Sequence, residues 1–123
     1  MFNEQVKVIL YAQAVPAAAE FWQTLGFSLI SLDEVDGSTV AELAVTENSG
    51  THLVIYDRAF IAENTADASE PAPALIFSSD DVLGLYQSLQ AKEIPMGDLT
   101  KVGDELVFNF VDLDGNYFVV SGK

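Results

Sequence analysis

His52 is the only histidine in this 123-residue chain, cysteine is absent, and nineteen acidic residues stand against five basic ones. A lone imidazole can move a proton or touch a ligand. A metal centre needs several donors that converge, and no second histidine or thiolate is present to join it. Without cysteine, thiolate catalysis, disulfides and cysteine-ligated zinc are excluded. The serines sit in turns and at strand ends and suggest no nucleophile–base–acid arrangement. The glycines form no phosphate-cradling loop. Asp112, Asp114 and Asn116 alternate like the first ligands of a calcium loop, but the rest of that pattern is missing and a tight Asp-Gly-Asn hairpin accounts for them. What remains is an aromatic set, Tyr11, Tyr56, Phe108, Phe110 and Tyr117, together with His52 and the carboxylates Glu42, Asp98 and Glu105. Aromatic faces beside carboxylates suit planar or cationic guests. The candidate ligand-binding residues are therefore His52, Tyr56, Phe108, Phe110, Tyr117, Tyr11 and Glu42, and no catalytic residue stands out.

Charge narrows the partners. The formal net charge is -14 at pH 7, with a sequence pI near 4.1. Such a field repels phosphate backbones and anionic lipid, so neither nucleic acid nor a membrane surface is an expected partner, whereas a cationic small molecule is attracted. No apolar run approaches the ~18 residues of a membrane span, and the N-terminus lacks a basic segment followed by an apolar one. The expectation is a cytoplasmic protein.

The elements that must position these residues follow from periodicity. Val6 to Gln13 reads as a strand. Pro16 opens a helix in which Val15, Ala18, Ala19, Trp22 and Leu25 recur at helical spacing until Gly26 stops it. Three strands follow: Phe27 to Glu34, Thr39 to Val45 and Thr51 to Tyr56, with Asp36-Gly37 as a hairpin turn. On the third of these, His52, Val54 and Tyr56 share one face and Leu53 and Ile55 the other. Residues 58–72 carry weak periodicity and two prolines fall within or just past them, so they read as a linker. Then the order repeats: a strand over Ala74 to Ser79, a helix capped by Asp80 or Asp81, and strands over Leu99 to Val102, Glu105 to Val111 and Asn116 to Ser121. The fold class expected is α+β, one domain over 1–123 made of two tandem βαβββ modules, about 5–57 and 73–122. One helix leaves the other face of a four-stranded sheet bare, and that face is where a ligand pocket is expected.

Two stretches carry a resemblance. Val15 to Ser28, with its Phe21-Trp22 pair and Leu25-Gly26-Phe27 exit, resembles the first helix and following strand of bleomycin-resistance proteins. Phe110 to Phe118 is similar to the closing Asp-Pro-Asp-Gly-Asn hairpin of the wider vicinal-oxygen-chelate superfamily, with Leu113 in place of proline. Leu75 to Leu89 is a third, weaker match. The resemblance implies curved mixed sheets with helices packed outside, and a homodimer with ligand clefts between subunits. It also implies where metal-dependent members hold their ion: the opening and closing strands of each half, here near Lys7, Val54, Ala74 and Val119. None of these is a donor for a divalent cation, since valine and alanine have no ligating atom and lysine is itself cationic. The expectation is a protein with no metal and no cofactor that sequesters an amphiphilic, cationic small molecule. The alternatives are a glyoxalase-like metal-dependent lyase or isomerase or a dioxygenase with an atypical site, and a structural or stress-related module with no ligand.

Overall fold

A computed structural model describes residues 1–60 and 72–123, so most of the expected linker lies outside the described residues. Two compact units, Met1–Pro73 and Ala74–Lys123, share among the described residues the order strand, helix, three strands.

In the first unit, β1 (Val6–Ala12) leads to α1 (Val15–Thr24), then β2 (Ser28–Val35), β3 (Ser38–Ala44) and β4 (Thr51–Asp57). The sheet order is β1-β4-β3-β2, with β1 parallel to β4 and the other pairings antiparallel. The β2–β3 hairpin turns on Asp36 and Gly37, both at positive φ (53° and 81°), which matches the twist of the two strands. Helix α1 begins without a side-chain cap at Ala14; Pro16 in its first turn supplies a preset φ instead. Its buried stripe is Val15, Ala18, Ala19, Phe21 and Trp22. Leu10, Ala12, Ala41, Leu43, Leu53 and Ile55 are buried as well and alternate along β1, β3 and β4. The buried Trp22 indole meets Phe21 edge-on at 5.7 Å and Phe27 at 4.9 Å.

In the second unit, β5 (Ile76–Ser79) leads to α2 (Val82–Ala91), then β6 (Thr100–Val102), β7 (Glu105–Val111) and β8 (Tyr117–Gly122), ordered β5-β8-β7-β6. Again the first strand pairs in parallel with the last. Asp81 caps α2 by accepting from the Gly84 amide at 3.0 Å. An aromatic cluster forms the core: Phe110 lies 5.6 Å from Phe118 and 6.4 Å from Phe77, and Tyr86 of α2 stands edge-on to Phe108 at 5.1 Å. The β7–β8 turn is closed by the Asp112 carboxylate, which accepts from the Asp114 and Asn116 amides and from the Asn116 side chain. All three of those potential calcium-loop residues are thus engaged in the hairpin.

Candidate functional site

Each sheet has one face packed by its own long helix, α1 or α2, and an opposite face, termed helix-free because neither helix packs on it among the described residues. Strand register assigns each strand side chain to one or the other. In the first unit Lys7, Tyr11, His52, Val54, Tyr56 and Glu42 share the helix-free face. Lys7 is level with His52 and Tyr11 with Tyr56 across β1–β4, while Glu42 is level with Val54 across β3–β4. Four of the seven candidate residues therefore gather there: His52, Glu42, Tyr11 and Tyr56.

Glu42 and His52 form the tightest polar contact of this face. The His52 Nδ1–H donates to Glu42 Oε2 at 2.5 Å, and Nε2 lies 3.0 Å from the Ser49 carbonyl oxygen. Lys7 Nζ reaches the same carboxylate at 3.4 Å. The hydrogen bond from His52 lowers the Glu42 pKa, burial opposes it, and the Lys7 ammonium adds to the lowering. Both imidazole nitrogens face oxygen acceptors, so His52 is held in place and presents neither nitrogen to a ligand. Glu42 is likewise already served by two donors of its own chain. Beside them, the Arg58 guanidinium sits 6.0 Å from the centre of the Tyr11 ring, so one tyrosine face meets a cation of the protein itself.

In the second unit the helix-free face carries Tyr117, Val119 and Ser121 from β8, Val107 and Asn109 from β7, and Thr100 from β6. Tyr117 is 68% exposed there. A shallow depression of about 270 Å³ opens on this face, lined by Asp98, Thr100, Val102, Val107, Phe108, Asn109 and Val119. The segment that delivers Asp98 is clasped to β7. Met96 bridges Phe110, the Val111 amide donates to the Pro95 carbonyl, and the Gly97 amide donates to both the carbonyl and the side-chain oxygen of Asn109. A Cβ on Gly97 would meet the end of that side chain, so any larger residue here requires Asn109 to swing aside.

The aromatic wall expected from Phe108 and Phe110 is corrected by this register. Both side chains are 2% exposed and their rings pack in the helix-side cluster with Tyr86, Phe77 and Phe118. Phe108 contributes only to the floor of the depression, between the outward-facing Val107 and Asn109. The physical reason is that α2 presents Tyr86, Val82 and Leu89 to the sheet, and a helix stripe of that size draws the larger apolar side of β7 towards it. Sequence reasoning missed Val107 and Asn109 for the same reason, although strand alternation alone would have placed them opposite the two phenylalanines. It also missed that Lys7 and Glu42 pair, a contact between strands that are not neighbours in the sheet. Asp98 precedes β6, whose strand begins at Thr100, one residue later than the Leu99 expected.

The profile of the Glyoxalase/Bleomycin resistance protein/Dioxygenase superfamily matches residues 5–120. The chain belongs to this superfamily. Among solved structures of the same fold, UcmS2 superposes with a TM-score of 0.80 at 13% identity, over 100% of both chains. TnmS3, an antibiotic binding protein from Streptomyces sp. CB03234, gives 0.71 at 17% identity, covering 98% of this chain and 97% of that one. Lactoylglutathione lyase from Agrobacterium tumefaciens gives 0.69 at 20% identity, covering 94% and 90%. No curated protein matches the chain. The superfamily fold thus hosts both binding proteins and enzymes, and the fold alone does not choose between them. At the positions implied for a metal, Lys7, Val54 and Val119 lie on the helix-free faces and Ala74 precedes β5; an ammonium and three aliphatic side chains do not fit a divalent ion. Among the described residues no group of three or more His, Asp or Glu side chains converges to hold one elsewhere. No helix of the described residues is long and apolar enough to cross a membrane.

Proposed function

We propose that this superfamily member is a metal-free binding protein that sequesters an amphiphilic, cationic small molecule on the helix-free faces of its sheets, and that it works as a cytoplasmic homodimer. The observation that carries the reading is the second sheet's depression, where the Val119 side chain, at a position implied for a metal ligand, forms part of an apolar lining with Val102 and Val107. An apolar surface with a few polar groups is what a sequestering site needs, and no bond has to be made or broken there. The first sheet supports it from the other side. Its one histidine has both nitrogens engaged, so no poised general base faces a ligand. The formal charge of -14 raises the local concentration of cations. A superfamily relative of the same fold is an antibiotic binding protein, which fits a bulky amphiphilic guest.

The test is calorimetric titration of the purified protein with metal-free bleomycin, a basic glycopeptide, alongside elemental analysis of the same preparation. Saturable binding at one ligand per chain, with no stoichiometric metal, is the expected result. Stoichiometric nickel, zinc, iron or manganese would overturn the metal-free reading, and no heat from bleomycin or from any other aromatic cation would overturn the binding one. Sedimentation of the same sample gives the expected dimer mass.

A further inference from the structure

The two helix-free faces differ in how their carboxylates are employed. On the first, Glu42 is shared by His52 and Lys7. On the second, Asp98 is exposed at the rim of the depression, and its carboxylate has no hydrogen bond or ion pair among the described residues. Its neighbours are committed: Asn109 spends its side-chain oxygen on the Gly97 amide, and Thr100 turns its hydroxyl to the Asp98 backbone carbonyl at 3.4 Å. Among the lining residues Asp98 is the only ionisable group, and the adjoining side chains Val102, Val107 and Val119 are aliphatic. The Gly97–Asn109 clasp ties the backbone just before it to β7, so the residue is delivered beside an apolar surface.

We infer that Asp98 is the residue that selects a cationic guest, by placing one carboxylate beside a depression sized for a two- or three-ring aromatic, while Glu42 plays no part in ligand charge. This rests on the binding reading above and adds the residue and the ligand class: a planar aromatic monocation. A depression of about 270 Å³ lies just below the usual size for small-molecule pockets, about 300–1,000 Å³, which favours a compact aromatic over a whole glycopeptide and leaves the rest of a larger molecule outside it. An exposed carboxylate adds little to affinity, so the discrimination is modest and salt-sensitive.

The experiment is a fluorescence titration with 9-aminoacridine, which is cationic at pH 7.5, and with acridine, which is neutral there. It uses the full chain, Asp98→Asn, and Glu20→Gln, which removes the same charge from the outer surface of α1. The expected result is that 9-aminoacridine binds the unaltered chain more tightly than acridine. In Asp98→Asn its binding weakens about five-fold while acridine is unchanged, and Glu20→Gln leaves both ligands as they were. Unchanged 9-aminoacridine binding in Asp98→Asn, or an equal loss in Glu20→Gln, would overturn the role of Asp98 and leave the binding reading standing. Failure of both dyes and of bleomycin to bind the unaltered chain overturns the binding reading itself. Thermal unfolding of each variant guards against a folding defect, and a loss of binding in a destabilised Asp98→Asn is checked against Asp98→Glu, which is expected to restore it.

Discussion

Replacing Glu42 tests the polar network on the first sheet directly. Glu42→Gln keeps an oxygen for the His52 Nδ1–H but removes the charge, and a charge-assisted hydrogen bond exceeds a neutral one by about 1 kcal/mol. Glu42→Leu removes the acceptor altogether. It leaves the His52 Nδ1–H, whose side chain is 11% exposed, without a partner, so the loss grows to about 3 kcal/mol, on the order of 10 °C in Tm for a chain of this size. The Lys7 contact adds little, because that ammonium is half exposed and screened. The pH dependence has a definite sign. The carboxyl of Glu42 is held below its ordinary value of 4.5, so the folded protein binds a proton there less readily than the unfolded chain. The stabilisation is complete above about pH 4.5 and disappears as the pH falls through the lowered folded value. Urea unfolding of the unaltered chain and Glu42→Gln, followed from pH 7 down to the acid limit of folding, should show a gap that is constant near neutrality and narrows below pH 4.5. A Glu42→Leu variant as stable as the parent, or a gap that widens in acid, would refute the assignment of His52 and Lys7 to Glu42.

Three further outcomes follow from the second unit. Phe110→Ala should cost about 3–5 kcal/mol in urea unfolding, because the ring is buried in the aromatic cluster, whereas Tyr117→Ala, on the exposed face, should stay within about 0.5 kcal/mol. Equal costs would contradict the register of β7 and β8. Asp112→Ala removes three hydrogen bonds from the β7–β8 turn and should cost about 1–3 kcal/mol, while calcium should leave the Tm of the unaltered chain where it is. Gly97→Ala should push Asn109 aside and free the segment carrying Asp98, read as faster amide exchange at residues 97 and 109 and a lower Tm.

The architecture was legible because local and global signals agree. Alternation in β4 placed His52, Val54 and Tyr56 together, the Asp36-Gly37 dipeptide marked its hairpin, and the Val15–Trp22 spacing marked α1. The shared face of Tyr11, Tyr56, His52 and Glu42 was legible in part, because each lies on a strand with clear periodicity. The choice of faces for Phe108 and Phe110 was not, since alternation says which residues share a side and not which side meets the helix. The Lys7–Glu42 contact crosses β4 between strands that are 35 residues apart, and no local pattern signals it. Asp98 escaped a definite role because its placement comes from the Gly97–Asn109 clasp, which joins a loop to a strand beyond the next turn.

The parallel pairing of β1 with β4 has a consequence for how the chain comes to be folded as it is made. Val6 lies beside Thr51 and Ala12 beside Asp57, so the strand synthesised first finds its place only after the last strand of its unit has emerged. The β2–β3–β4 meander needs only short-range closures, but β1 must wait across them, with α1 tethered behind it. The same delay recurs for β5, which waits for β8. Until then β1 offers an unpaired edge rich in valine, isoleucine and leucine, the kind of segment that pairs with strangers. A nascent chain stalled before Thr51 therefore exposes an adhesive strand, and the acidic balance of the sequence gains a second use, keeping unfinished copies apart.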